Sequence, residues 1–204
     1  LVTAFAWAFR HVEDATLLLK LGGPDRLEHH CRLVMMLTKM SPMKCRVIAI
    51  HGYLDEDSYR QLAGATTYYV NASLCEGLCM PLIEFLSCGI PAIAPDHTAM
   101  AEYIEPDLAF VLDSVPGLPA LWPHGDLGVY RTERHPVSWP SLMQAYRDSY
   151  LMARHRPDAY AEMSRQASAG MQAYCSSAQL VDPLRSFLTL RIREQARNLQ
   201  ATAP

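Results

Sequence analysis

Three features of the sequence predict a doubly wound, Rossmann-like α/β fold built on a parallel sheet. Apolar runs without polar alternation recur at 15–21, 46–50, 66–70, 91–95 and 109–113, the signature of strands covered on both faces. Helical periodicity separates these runs, as parallel strands joined by right-handed crossovers require. After a Pro- and Gly-rich interruption at 114–137, helical text resumes and fills 138–204. Residues 1–113 are therefore expected to form the sheet domain, 114–137 an irregular connection, and 138–204 helices that pack on the same domain.

Taken in order, Leu1, Ala4, Phe5, Ala8, Phe9 and Val12 follow helical spacing, so the opening apolar stretch reads as a helix rather than a signal-peptide core. "ATLLLKL" is a strand ended by Gly22, Gly23 and Pro24. Leu27, Leu33, Val34, Leu37 and Met40 mark a helix over 25–40, and "RVIAI" a second strand. The acids of "DEDSYRQLAGA" suit a helix N-terminus, and "TTYYV" follows as a third strand. A helix over 81–88 is closed by Gly89 and Pro91, then come "PAIAP", a short helix near 98–103 and "AFVLD". Pro140 and Pro157 each suit a first helical position. Tyr160, Met163, Ala167, Met171 and Tyr174 share one face of the second C-terminal helix, and Pro183 is expected to bend the third or mark its start.

Composition narrows the function. The 204 residues are 50% hydrophobic and 19% charged with a formal net charge of −3, which is ordinary for a globular domain and carries no basic footprint for nucleic acid. No apolar stretch is long enough to span a bilayer, which leaves peripheral association with a membrane open. The expected location is cytoplasmic, with the inner face of a membrane as the alternative. Cysteines 31, 45, 75, 79, 88 and 175 are scattered through apolar text and read as reduced, buried thiols. The spacing of Cys75, Cys79 and Cys88 matches no paired metal knuckle, and no metal is expected. A dinucleotide oxidoreductase is disfavoured because no G-x-G-x-x-G follows a strand.

The chemistry concentrates in "EGLCMPLIEFLSCGIPAIAP", residues 76–95. In an open parallel sheet, ligands bind beyond the carboxyl ends of the strands, and this loop follows one such end. Gly77 permits close approach of a ligand, and Pro81 fits the first position of the next helix, whose free amides favour phosphate. Glu84 is expected in the first turn, leaning back toward the pocket mouth that Glu76 borders. Two carboxylates accept hydrogen bonds from sugar hydroxyls, so the arrangement reads as a nucleotide-sugar site. The plainer alternatives are a Glu84 that complements the helix dipole and a Glu76 that is merely solvated.

The same residues resemble the E-x7-E segment of retaining glycosyltransferases with the two-domain GT-B fold, the glycosyltransferase group 1 family. Its wording is close to E-G-F-G-x-P-x-x-E-A-x-x-x-G-x-P-V-x-A, matched in register by Glu76, Gly77, Pro81, Glu84, Gly89, Pro91 and Ala94. The resemblance covers residues 1–113 well and the later helices loosely. It implies the C-terminal, donor-binding half of the fold, with a nucleoside diphosphate sugar as substrate, no cofactor, and transfer with retention. Glu76 would meet hydroxyls of the transferred sugar. The amides of Gly77, Leu78 and Cys79 would face sugar or diphosphate, and Glu84 the ribose. Gly52, Tyr53 and Leu54 would lie beside the base. The acceptor groove would belong to a separate N-terminal domain, and polysaccharide assembly is the family's habit. A non-catalytic sugar-nucleotide-binding or regulatory module would use the same pocket. Two departures stand out: Cys79 replaces the second loop glycine, and His97-Thr98 replace a common glycine pair, leaving His97 as a candidate donor or acceptor contact.

In the doubly wound order 3-2-1-4-5-6, strands 15–21 and 66–70 flank the place of the family's first strand, which is followed there by a loop carrying an arginine and a lysine. The expectation is a fragment of a longer chain, with these two strands about 10 Å apart against about 4.8 Å for paired neighbours.

Overall fold

The computed structural model describes residues 1–22, 25–115, 117–121 and 130–201. The expected turn residues Gly23 and Pro24, together with Pro116, Pro123, Gly125 and Gly128 of the irregular connection, lie outside the described residues. The chain runs α1 (Val2–Ala8), β1 (Thr16–Leu21), α2 (Arg26–Met40), β2 (Arg46–His51), α3 (Glu56–Gly64), β3 (Tyr69–Val70), α4 (Met80–Ser87), β4 (Ala92–Pro95) and β5 (Ala109–Leu112). The short helix expected near 98–103 is a 3-10 helix, Thr98–Glu102. A hairpin of β6 (Leu118–Leu121) and β7 (Tyr130–Arg134) precedes α5 (Trp139–His155), α6 (Pro157–Tyr174) and α7 (Ser177–Ala201).

The protein is α/β, and among the described residues its parallel strands form two short sheets rather than one continuous sheet. β1 pairs with β2 from Thr16↔Arg46 to Leu21↔His51. β3, β4 and β5 form the second sheet, with Tyr69 opposite Ala92 and Ala92 opposite Ala109. No ladder joins β1 to β3 among the described residues. Both sheets nevertheless face one core. Leu17 of β1, Val70 of β3 and Ile93 of β4 share an apolar cluster with Phe5 of α1 and Tyr146 of α5.

Other differences have local causes. β3 is two residues long rather than five because Thr66 closes α3. Its N–H donates to Ala63 O and its hydroxyl to Leu62 O, while Thr67 O accepts from the Tyr160 hydroxyl at 2.9 Å. The connection at 114–137 contains an antiparallel hairpin and a Ser114–Val137 bridge. Pro119 sits in its edge strand, where a missing donor is tolerated. Pro157 opens α6 as expected, whereas Pro140 is the second residue of α5, behind a Ser138 side chain that caps the Ser141 amide. α7 runs through Pro183 without ending there. All six cysteines are free, but only Cys45 and Cys79 are buried; the other four are exposed, contrary to the expected buried thiols. No described helix is long and apolar enough to cross a membrane.

What fixes the position of α4 is its contact with α6. Gly89 ends α4 with φ +74°, and an added Cβ would lie 3.1 Å from Ser164 Oγ and 3.2 Å from Ser164 O. The Ser164 hydroxyl donates to Gly89 O at 2.5 Å, and Ala167 and Met171 of α6 are fully buried in the same cluster as Leu82 and Leu86 of α4. Only glycine takes this left-handed turn against a neighbouring backbone without strain. Gly89→Ala is expected to lower stability by about 1–3 kcal/mol, measured as a lower urea midpoint with an unchanged slope. An unchanged midpoint would mean that the α4–α6 approach is not tight.

Candidate functional site

Asn71 organises the loop between β3 and α4. It is buried, and its amide donates to Ile93 O of β4, which ties it to the sheet. Its side-chain carbonyl accepts from the Ser73 amide at 2.7 Å, closing a tight turn, and its NH2 lies 3.0 Å from Cys79 Sγ, across the loop. One side chain thus clamps both ends of residues 71–79. Between the ends, the Ser73 hydroxyl donates to Glu76 Oε1 at 2.6 Å, the Glu76 amide to Thr98 Oγ1 at 3.1 Å, and the Tyr103 hydroxyl to Leu78 O at 2.8 Å. Gly77 has open space where a Cβ would stand, so the loop's outer side is free to receive a ligand.

α4 begins at Met80, one residue earlier than expected, with Cys79 as its N-cap at φ 57°. Pro81 is consequently the second residue of the helix, and Glu84 lies in its second turn, not its first. Glu84 is held by the Tyr59 hydroxyl of α3 at 2.8 Å. Tyr69 of β3 lies within the field of both carboxylates. Its phenol is pushed up to about 12 by burial first, then by Cys79, Glu76 and Glu84, which means both carboxylates act on it. A cavity of about 290 Å³ opens along residues 69–73 and reaches Glu76. Glu84 does not line it. Gly52, Tyr53 and Leu54 follow β2 in the other sheet. Gly52 has φ +92° beneath the Arg26 guanidinium, and the Tyr53 ring is 92% exposed.

His97 is placed differently from a ligand contact on the cleft surface. It is only 6% exposed, and its ring stacks on His135 at a centroid distance of 4.8 Å and an angle of 22°. Its Nδ1 lies 3.3 Å from Thr98 Oγ1, and its Nε2 is buried without a hydrogen bond. His135 is anchored in turn by its amide, which donates to Leu74 O at 2.7 Å, and has Glu133 at 3.9 Å. His97 therefore acts on Glu76 through Thr98, and the end of β7 packs against the candidate loop.

Cys79 and Thr98 are the two non-glycine residues with positive φ among those described, at 57° and 53°. A left-handed β-branched threonine is an outlier that costs about 1–3 kcal/mol unless surrounding contacts over-determine it. Here the hydroxyl accepts from Glu76 and donates to His97 O at 2.7 Å.

Asn71, Ser73, Tyr59, Tyr69, Tyr103 and His135 were not singled out in the sequence, and Thr98 was noted only for standing in place of a glycine. Asn-x-Ser directly after a strand is a readable signal for the turn at Asn71. Tyr59 and His135 have no such signal, because their partners are remote in sequence. No protein-family model matches the chain, and no curated protein matches it significantly.

Burial first, and His135 second, lower the His97 pKa below its ordinary 6.5, while the main-chain groups of His97 and Ser73 and the Asp96 charge oppose the shift. Above about pH 6.5 both folded and unfolded states hold neutral His97, and the group adds no pH dependence. As pH falls below that value the unfolded chain takes up the proton first, so stability falls until the lower folded pKa is passed. Urea unfolding between pH 7.5 and 5.5 should show this loss, and His97→Phe, which keeps a stacked ring, should reduce its slope. Equal slopes would show that His97 is not held neutral.

Proposed function

We propose that this chain is the donor-binding domain of a glycosyltransferase that moves a sugar from a nucleoside diphosphate sugar to an acceptor, with retention of configuration. The observation that carries the reading is the backbone at Cys79 and Thr98. These left-handed residues stand at the two places where the resembling family has glycine, at the loop glycine and within the glycine pair. The side chains depart from the family's pattern, while the conformation that calls for glycine is kept. The placement of the loop beyond β3, at the carboxyl edge of a parallel sheet, supports the same reading.

In this proposal Glu76 accepts hydrogen bonds from hydroxyls of the transferred sugar, oriented by Ser73 and Thr98. The amides of Gly77, Leu78 and Cys79, ahead of α4, meet the diphosphate, whose charge grows as the anomeric C–O bond breaks. Glu84, oriented by Tyr59, accepts from the ribose hydroxyls. The exposed Tyr53 ring stacks on the base, and the acceptor site lies on another domain. A second reading, a module that binds the sugar nucleotide without transferring it, is favoured by one observation. No lysine or arginine lines the cavity among the described residues, so none stands ready there to neutralise a leaving diphosphate.

Calorimetry against a panel of nucleoside diphosphates and their sugar conjugates tests the proposal. Glu84→Ala is expected to weaken binding of the free nucleoside diphosphate about ten- to a hundredfold, the worth of a hydrogen bond to a charged group at about 1.5–3 kcal/mol. Glu76→Ala should leave that affinity intact and weaken only the sugar conjugate, by a similar factor. Absence of binding across the panel would sink both readings. Binding without transfer in the presence of the acceptor domain would favour the module.

A further inference from the structure

We propose that His30 and His51 form a two-point chelate for a divalent late transition metal, a clip that ties α2 to the end of β2. His51 is the last residue of β2 and is half-buried, while His30 lies exposed on α2. Packing brings His30 Nδ1 to 3.3 Å from His51 Nε2, with ring centroids 5.3 Å apart and planes at 57°. A tetrahedral ion bound to two imidazoles at about 2.0–2.1 Å holds their nitrogens about 3.3–3.4 Å apart. The rings therefore stand at the bite such an ion needs, without rearrangement. A direct hydrogen bond is the alternative use of the pair, but 3.3 Å exceeds the usual range for an N–H donor, about 2.7–3.2 Å. It also engages one lone pair, where a metal takes both. The two residues are 21 positions apart, so no local ligand spacing announces the pair.

The donors select the ion. Neutral imidazole suits zinc, copper and nickel, whereas magnesium and calcium take oxygen ligands. Among the described residues no third histidine, cysteine or carboxylate joins the pair, so two positions stay open for water or another oxygen ligand. Arg26, one turn before His30 on α2, stands over Gly52, its guanidinium 3.7 Å from where a Cβ would lie. That charge opposes a bare dication, so an anionic oxygen completes the shell best. Metal on His51 Nε2 leaves the ring proton on Nδ1, which is buried without a partner. A histidine ligand lacking an outer-shell acceptor binds about 10–100-fold more weakly, so the ion is exchangeable rather than permanent. The element that gains is α2. None of its 15 residues is buried, and only Leu33, Leu37 and Met40 are half-buried. A helix of that length is marginal by itself, so one added tether to β2 restrains it.

Imidazole nitrogen NMR on the intact 204-residue chain tests the clip, with zinc as the probe because it is diamagnetic. Zinc should shift His30 Nδ1 and His51 Nε2 together, leave the exposed neighbour His29 unmoved, and slow amide exchange along α2. His30→Ala should raise the zinc concentration needed to move His51 at least tenfold. His30→Gln, polar but a poor ligand, should do the same, and His29→Ala should change nothing. His30 is exposed, so both of its variants are expected to stay folded, which the amide spectrum checks. The proposal is overturned if millimolar zinc leaves either nitrogen unmoved, including the case in which the exposed thiols take the metal instead. It is equally overturned if His51 responds at the same zinc concentration with and without His30.

Discussion

The candidate site depends on one buried side chain, Asn71. Its burial follows from its place at the end of β3, where its amide is the last donor to β4. A buried amide side chain must find partners, or its desolvation costs about 1–3 kcal/mol. Asn71 finds them in the Ser73 amide and Cys79 Sγ. Satisfying Asn71 and shaping the loop are therefore the same event. The loop's carbonyls and carboxylate turn where they do because both ends are already committed. The buried Tyr103 then fixes Leu78, and Thr98 fixes the Glu76 amide.

The scaffold behind the loop follows the same logic of forced proximity. α4 is almost wholly apolar on its inner face, with Leu82, Ile83, Phe85 and Leu86 buried. That face could slide on the sheet were it not for Gly89 and Ser164, which bring α4 and α6 to backbone contact. α6 thereby holds the C-terminal end of α4, the end opposite the one that Cys79 caps. Ala167 and Met171 of α6 pack in the same cluster as Leu82, so the burial of α6 and the placing of the site cannot be separated.

This coupling explains which parts of the structure were legible in the sequence. The strands at 15–21, 46–50 and 109–113 were visible because each is a continuous apolar run set between stretches of helical or turn text. β3 was overestimated because Thr66 and Thr67 look like strand residues, yet their hydroxyl and carbonyl serve α3 and Tyr160. The hairpin at β6 and β7 was hidden by its prolines and by the polar stretch "YRTER", whose pairing partner cannot be read from local pattern. At the site, the two glutamates were legible as a spaced pair, and Cys79 was legible as a residue standing where glycine was expected. Their supports were not. Tyr59, 25 positions from Glu84, and Tyr103, 25 positions from Leu78, become neighbours only through tertiary packing.

The two left-handed residues show how strain and site are connected. Cys79 caps α4 in a conformation that costs an ordinary residue about 1–2 kcal/mol, and Thr98 adds a β-branched side chain to the same difficulty. Replacing each with glycine would relieve the backbone, but would also remove the groups that use it. Cys79 supplies the sulfur against Asn71, and Thr98 the oxygen that receives the Glu76 amide. His97, buried and stacked on His135, closes the space on which the Thr98 conformation rests. The strain is thus held by a chain of contacts from the end of β7 through His135, His97 and Thr98 to Glu76. A substitution anywhere along that chain acts on the orientation of a carboxylate that most of its members do not touch.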